Sequence, residues 1–385
     1  MAVRTAVFAG GTGTKSIAHH LLHSGGQTTF LVNAFDDGYS TGAIRRALGI
    51  LGPSDMGKVV STLVAESLPA VARWLSLRVP AGVTPRSLAE WTRGGLDLGS
   101  VPSQVSKQLD MYVESFAALP PVADGTLPLA DTAVRNAVLV GARTYHGGRF
   151  QAALDALHSL LDLPARVVTV TEEPLHLTSV LTDGTVLFHE WQVCERGSRQ
   201  PVAQVCFLTG SDRAELEPLS GGDPELSREV LSRSQRPTTT AAATRAIAQA
   251  ERVIWAPGTL FSSLVPTAAI VGPLLEANER ARRVIVANLR QEQEATTVHG
   301  SALALARAQR QWAADPTDAP APIADTVICD VQQRRSGGYA WGDLIPADHE
   351  RLASQYRVRY AKLEERPGVH DGAALAEEVA RALAG

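Results

Sequence analysis

Apolar residues along this chain fall into short unbroken runs, and several of those runs are followed at once by glycine, hydroxyl or acidic residues. Thr5-Ala6-Val7-Phe8-Ala9 and Thr28-Thr29-Phe30-Leu31-Val32-Asn33-Ala34 are two such runs. Continuous apolar stretches of this length predict strands buried on both faces of a parallel sheet. Between them Ile17, Leu21 and Leu22 recur at helical spacing, and Val59, Val60, Leu63 and Val64 repeat that pattern after the second run. Strand, helix, strand, helix over residues 1–65 implies right-handed crossovers and a parallel sheet.

Residues 66–135 read as mostly helical. Trp74, Leu75, Leu88, Leu109, Tyr112 and Phe116 are apolar anchors there, and Pro80, Pro85, Pro102, Pro120 and Pro121 divide the stretch. This layer either covers the mouth of a site or is purely structural. A core helix around 136–142 and an amphipathic helix from Phe150 follow, the latter ending near Leu163-Pro164. Segments 166–170, 175–181 and 186–189 predict strands, the last two joined by the turn Thr182-Asp183-Gly184-Thr185. The sheet resumes at 252–256, 283–287 and 326–331, and the proline- and alanine-rich residues 313–325 predict an exposed loop. The expected fold is α/β: a Rossmann-like, mostly parallel sheet with helices on both faces, plus a helical segment and a strand-rich insertion. Residues 1–165 and 237–385 would form the core, with the helical segment at 66–135 and the insertion at 166–236.

The turns carry the chemistry. In Gly10-Gly11-Thr12-Gly13-Thr14-Lys15 the glycines let backbone amides approach an anion, and a helix starting near Thr14 or Ser16 presents unpaired amides and a positive dipole end to phosphate. Lys15 is either a point charge for that phosphate or a solvated residue of the first helical turn. Asp36 and Asp37 fall at the carboxyl end of the second strand, where ligands bind in open α/β sheets. Adjacent carboxylates repel unless a cation or several donors sits between them, so magnesium bridging to phosphate oxygens, ribose binding and simple capping are the three readings. Asp55 in Gly52-Pro53-Ser54-Asp55 is a third acid, as metal ligand or base, or else a helix cap beside Ser54. A third turn, Pro257-Gly258-Thr259-Leu260-Phe261-Ser262-Ser263, again follows an apolar strand, and its serines serve either phosphate or a helix start. One of Arg45 and Arg46 is expected to face phosphate. His19 and His23 share a helix face as a metal pair or a solvent-facing stripe, while His176 and His189 read as ordinary strand positions.

Composition narrows the alternatives. A net charge of −4 and the lack of a basic stripe with interleaved aromatics speak against a nucleic-acid partner. Cys194, Cys206 and Cys329 are too scattered for a disulfide framework or a zinc site. The apolar stretch around 268–275 is interrupted by Pro266 and Pro273 and is shorter than the roughly 20 residues of a bilayer span. No leader pattern follows Met1, so a cytoplasmic protein away from membranes is expected. There is no glycine-flanked serine elbow for acyl chemistry, and the first turn lacks the spacing of a dinucleotide-binding fingerprint.

In the order and spacing of Gly10-Gly11-Thr12-Gly13, Asp36-Asp37-Gly38 with Ser40-Thr41-Gly42 and Arg45, Gly52-Pro53-Ser54-Asp55, Asn136, Pro257-Gly258-Thr259 with Ser262-Ser263 and Pro266, Asn288 and Val369-His370-Asp371, the chain resembles one family over nearly its whole length. That family joins the 2-phospho-L-lactate transferases of deazaflavin-cofactor biosynthesis to the YvcK-type (CofD-like) gluconeogenesis factors of bacteria. The resemblance implies a nucleotide diphosphate held by Gly10, Gly11, Thr12, Gly13, Thr14, Lys15, Ser40, Thr41, Arg45, Asn136, Gly258, Thr259, Ser262, Ser263 and Asn288. Magnesium is expected on Asp36 and Asp37, with Asp37 and Asp55 as the expected catalytic groups. The transferase branch moves a phospholactyl group from a guanosine diphosphate donor to a deazaflavin alcohol, whereas the other branch binds UDP-sugars, and the late segments of this chain resemble that second branch. The expected function is thus phospho-group transfer from a nucleotide diphosphate conjugate to an acceptor hydroxyl; the alternative is a non-catalytic nucleotide-sugar regulator. A homodimer is expected by base rate. Two departures alter what the pocket accepts: Tyr39 replaces a second glycine, and Gly57-Lys58 replaces an arginine-asparagine pair.

Overall fold

The structure, a computed structural model, describes residues 2–10, 14–22, 26–95, 101–120, 127, 129–195, 200–220, 224–290, 297–313, 320–334 and 345–384. Gly11, Thr12 and Gly13 of the glycine turn, and His23, lie outside the described residues.

Seven strands form one parallel sheet. In chain order they are β1 (Arg4–Ala9), β2 (Gln27–Val32) and β3 (Arg166–Thr169); three further strands, β4 to β6, lie outside it, and then come β7 (Arg252–Trp255), β8 (Arg282–Val286), β9 (Thr326–Asp330) and β10 (Arg357–Ala361). Their spatial order is β10-β9-β8-β7-β1-β2-β3. The chain therefore runs outward from β1 to β3, returns, and runs outward again on the other side from β7. This places the switch point between β1 and β7, where open α/β sheets bind ligands at their carboxyl ends. Consecutive residues Ala6, Val7, Phe8 and Ala9 of β1 point alternately to opposite faces, and all four are buried, so helices cover both faces.

The antiparallel part has the spatial order β5-β4-β6, from β4 (His176–Leu181), β5 (Val186–Leu187) and β6 (Val202–Leu208). The turn between β4 and β5 forms as expected, with Gly184 at φ 86° and the Thr185 amide donating to Asp183 Oδ1 at 3.0 Å. Residues 166–169, grouped with the insertion in the sequence reading, instead pair with β2 as the edge of the main sheet. A four-residue apolar run carries no mark of which sheet it joins. Two more elements carry little apolar pattern: the arginine-bearing edge strand β10, and the hairpin of β11 (Glu364–Arg366) with β12 (Val369–His370).

Between 66 and 135 the expected helices appear as Pro69–Ser76, Pro85–Gly94 and Ser103–Ala117, with Trp74, Leu88, Leu109, Tyr112 and Phe116 buried. Pro266 and Pro273 do not break the apolar segment after β7. Pro266 falls in the first turn of the helix Val265–Ala277, where its missing amide costs nothing, and Pro273 is carried inside it. With the preceding turn this helix, Leu260–Ala277, is long and apolar enough by composition to cross a membrane, yet 72% of it is buried inside the protein.

Beneath the switch point Phe8 of β1 stacks on Trp255 of β7 at a ring-centroid distance of 4.2 Å, and the two residues are register partners. Both are fully buried. Phe8→Ala should cost about 3–5 kcal/mol, read as a lower urea midpoint with unchanged slope. A loss below about 1 kcal/mol would mean that the stack does not hold the two strands together.

Candidate functional site

Register brings three turns to one rim. Ala9 pairs with Val32 and Phe8 with Trp255, so Gly10, Asn33 and the 256–259 segment leave the sheet side by side. A Cβ on Gly258 would lie 2.9 Å from the Gly10 carbonyl oxygen, and one on Gly10 only 2.6 Å from Ser263 Cβ. These two turns thus touch backbone to backbone, which only glycine permits. Asn33 ties in the second strand: its Nδ2 donates to the Ser262 and Ser263 carbonyls at 3.0 and 3.1 Å, while its Oδ1 accepts from the Phe35 amide at 2.9 Å. Asn288, just past β8, clamps the Gly258 peptide from the other side. Its Oδ1 accepts from Gly258 N at 3.0 Å and its Nδ2 donates to Gly258 O at 2.7 Å.

The third turn is wide. The amides of Ser263 and Leu264 both donate to the Thr259 carbonyl, at 3.2 and 3.1 Å, making a π-helical start to the long helix. Such turns recur at functional sites. They gather the Thr259, Ser262 and Ser263 hydroxyls into one hydrogen-bonded cluster at the rim. Across the turn Thr14 begins the helix Thr14–Leu22, with a buried Oγ1 that has no hydrogen-bond partner among the described residues. Lys15 is exposed beside it.

The acid pair divides. Adjacent residues of extended backbone point to opposite sides, and here Asp36 faces the helix Ser54–Leu63 while Asp37 faces the antiparallel sheet. Gly52 lets the Ser54–Asp55 turn lie on the Asp36 loop, since a Cβ there would sit 2.4 Å from the Asp36 carbonyl oxygen. Burial, reinforced by the neighbouring Asp55 charge, pushes the Asp36 carboxyl up to about 6, and Lys58 and the Gly38 amide pull the other way. Lys58 Nζ donates to Asp55 Oδ1 at 2.8 Å.

Asp37 binds the start of the short helix Glu190–Glu195. Its Oδ2 lies 3.3 Å from His189 Nδ1 and its Oδ1 accepts from the Trp191 amide at 3.4 Å, with Arg213 Nη1 3.7 Å away. Burial pushes this carboxyl up, but the His189 bond and the Arg45 and Arg213 charges outweigh it and hold it below its ordinary value. His176, read as an ordinary strand position, accepts from Arg213 Nη1 at 2.8 Å through its Nδ1. Burial, with the Arg45 and Arg213 charges, drives it down to about 4, so it stays neutral.

Bracketed by the two Asp37 contacts is Glu190, which the sequence reading missed. Burial and the charges of Asp36, Asp37 and Asp55 push its carboxyl up to about 8, against a hydrogen bond from Ser262. Its one sequence signal is an acid placed directly after His189, and the pairing that carries it to the rim is tertiary.

Other expected groups sit elsewhere. Arg45 is buried and donates to three carbonyls: Phe35 at 2.7 Å, Leu175 at 2.8 Å and Ile50 at 3.4 Å. Thr41 is buried; Ser40 Oγ donates to the Asp131 carbonyl at 3.4 Å. Asn136 is buried near the start of the helix Val134–Tyr145, with its Oδ1 unpartnered among the described residues. Tyr39, 83% exposed, opens the helix Tyr39–Leu48 at φ 43°, a left-handed conformation that suits the glycine it replaces. Among the described residues no three His, Cys, Asp or Glu side chains form a metal cage. Magnesium does not require one: it takes one or two carboxylates and completes its shell with water and substrate phosphates. The mutually repelling Asp36 and Asp55 are a donor set of that kind.

Comparison with known proteins bears on this geometry. The sequence profile described as 2-phospho-L-lactate transferase CofD matches residues 5–364. A putative gluconeogenesis factor of Deinococcus radiodurans is 24% identical over 268 residues, 70% of this chain and 42% of that protein. A gluconeogenesis factor of Listeria monocytogenes is 22% identical over 263 residues, 68% of this chain and 59% of that protein. The chain thus spans about half the length of the curated relatives it matches. Two crystal structures from Bacillus halodurans, one titled as a upf0052 family member, share the fold with TM-scores of 0.67 at 16% and 18% identity. Each covers 99% of this chain, which in turn covers 100% and 99% of them.

Glu190 makes stability depend on pH. Between the ordinary glutamate value and about 8 the folded chain holds a proton that the unfolded chain has lost, so stability falls as pH rises through that window. In metal-free protein Glu190→Gln should remove a loss on the order of a few kcal/mol between about pH 5 and about pH 8.5, seen in urea midpoints. Parallel pH profiles for the variant and the wild type would contradict the burial of this acid.

Proposed function

Because the chain belongs to the 2-phospho-L-lactate transferase CofD family, we propose that it seats a nucleotide diphosphate conjugate across the rim between β1 and β7 and transfers the outer phosphoryl, with the group it carries, to an acceptor hydroxyl. The observation that carries this reading is the contact of Gly10 with Gly258 and Ser263. It joins two turns at one rim with the Thr259, Ser262 and Ser263 hydroxyls, a combination suited to phosphate oxygens.

In the transfer the acceptor oxygen forms a bond to the outer phosphorus, and the bond from that phosphorus to the bridging oxygen breaks. Nucleoside monophosphate leaves with the electron pair of that bond. The hydroxyl proton passes to Glu190, which the hydrogen bond from Ser262 holds at the rim. Asp37 acts as a positioning residue: by binding His189 and the Trp191 amide it holds Glu190 toward Ser262 and Asp36. Asp36 and Asp55 are the residues that would hold magnesium together with phosphate oxygens. The ion would neutralise charge on those oxygens, and positioning with charge neutralisation supplies most of the catalysis in such reactions.

A second reading, a non-catalytic nucleotide-sugar sensor, draws support from the names of the two curated relatives and from Asp37. That carboxylate couples the rim to the antiparallel sheet through His189 and Arg213, which would let site occupancy be felt on the outer surface. Calorimetry with guanosine and uridine diphosphate conjugates, followed by assay of monophosphate release, separates the two. The transferase reading expects release once an acceptor is supplied. Glu190→Gln should then lower turnover by about 10²–10⁴-fold while leaving diphosphate affinity nearly intact. Asp36→Asn should abolish magnesium-dependent turnover. Tight binding with no release under any acceptor would favour the sensor.

A further inference from the structure

Beside the rim, meeting it at Thr14, lies a cavity of about 790 Å³. It opens between the helices Thr14–Leu22, Ser54–Leu63 and Pro69–Ser76, with Arg78 and Arg135 closing one side. Its walls mix two chemistries. Ala18, Val59, Ala65, Ala72 and Leu77 are apolar, whereas Lys15, Lys58, Arg73, Arg78 and Arg135 are cations. Glu66 is the carboxylate lining the cavity, and it pairs with His19. Lys58 reaches Asp55 and Arg78 reaches the Asp131 carboxylate at 3.6 Å, which still leaves the lining with an excess of positive charge.

The cations are the polar part of this wall that an occupant can reach, and Lys15, Arg73 and Arg78 are exposed. Gly57 contributes by its lack of a side chain. A Cβ there would meet Arg135 Cγ, Cδ and Cβ at 3.1 to 3.3 Å, so the arginine stem lies across the helix at this glycine. Lys58 lines this cavity, and Gly57 seats the arginine beside it.

We infer that the cavity is the acceptor site, taking a molecule with an apolar body and an anionic group, whose hydroxyl meets the outer phosphate past Thr14 and Lys58. Phosphate alone has no use for the alanine, valine and leucine walls. An uncharged acceptor has no use for the arginines. This assignment rests on the transferase reading for the word acceptor; the site itself rests on the cavity and its lining.

Anilinonaphthalene sulfonate, a fluorescent apolar anion, serves as the probe on the full chain. It should bind one saturable site, and Arg73→Glu and Arg78→Gln should each weaken it by about tenfold. Both arginines are exposed, and unchanged thermal midpoints exclude unfolding as the cause. Uridine or guanosine diphosphate affinity, measured by calorimetry in the same variants, should stay within about twofold, and saturating diphosphate should not displace the probe. Undiminished probe binding in both variants would overturn the inference. So would parallel loss of probe and diphosphate, because the cavity would then be part of the nucleotide site. A wild-type chain that binds the probe as described but no diphosphate would count against the transferase reading and leave the cavity as an anion site.

Discussion

The contact of Gly10 with Gly258 is the constraint on which the rest of the rim depends. Parallel strands deliver their carboxyl-terminal turns to one edge, but they do not by themselves make those turns touch. Here the Phe8–Trp255 stack fixes the register of β1 against β7 just below the edge, and the two glycines bring no side-chain atoms that would hold the turns apart. The Asn33 and Asn288 amides then fasten the pair from opposite sides. Each amide satisfies backbone groups that a buried turn would otherwise leave unpaired.

Around that frame the acids take different tasks because they face different surroundings. Asp37 is surrounded by cations and donors and stays ionised, which lets it anchor the start of the helix Glu190–Glu195. Asp36 and Glu190 are half-buried among carboxylates and are pushed up. Two carboxyl groups set apart in this way by environment are the usual means by which one site holds and moves a proton near neutrality. The antiparallel sheet is thereby part of the site, since it supplies Glu190 through the hairpin that ends at His189.

Much of this was legible in the sequence. Strands β1, β2, β7 and β8 are continuous apolar runs, each turn after them carries its own glycine, hydroxyl or asparagine mark, and family resemblance supplied Asn288. What stayed hidden has physical causes. The period of two along extended backbone already implies that Asp36 and Asp37 diverge, yet not which partner each meets. Arg45 looked like a phosphate ligand because a basic residue near a glycine turn and a buried clamp on three carbonyls read alike until the fold is known. Strand β10 escaped notice because its arginines interrupt the apolar pattern at a sheet edge. Glu190 was out of reach of any local rule, being brought to the rim by the long-range contact of His189 with Asp37.

The most direct measurement is a crystal structure of the chain soaked with uridine or guanosine diphosphate. The account requires the diphosphate to sit on the rim over the touching Gly10 and Gly258 turns, within hydrogen-bond reach of the Ser262 or Ser263 hydroxyls. A diphosphate bound away from that rim would contradict it.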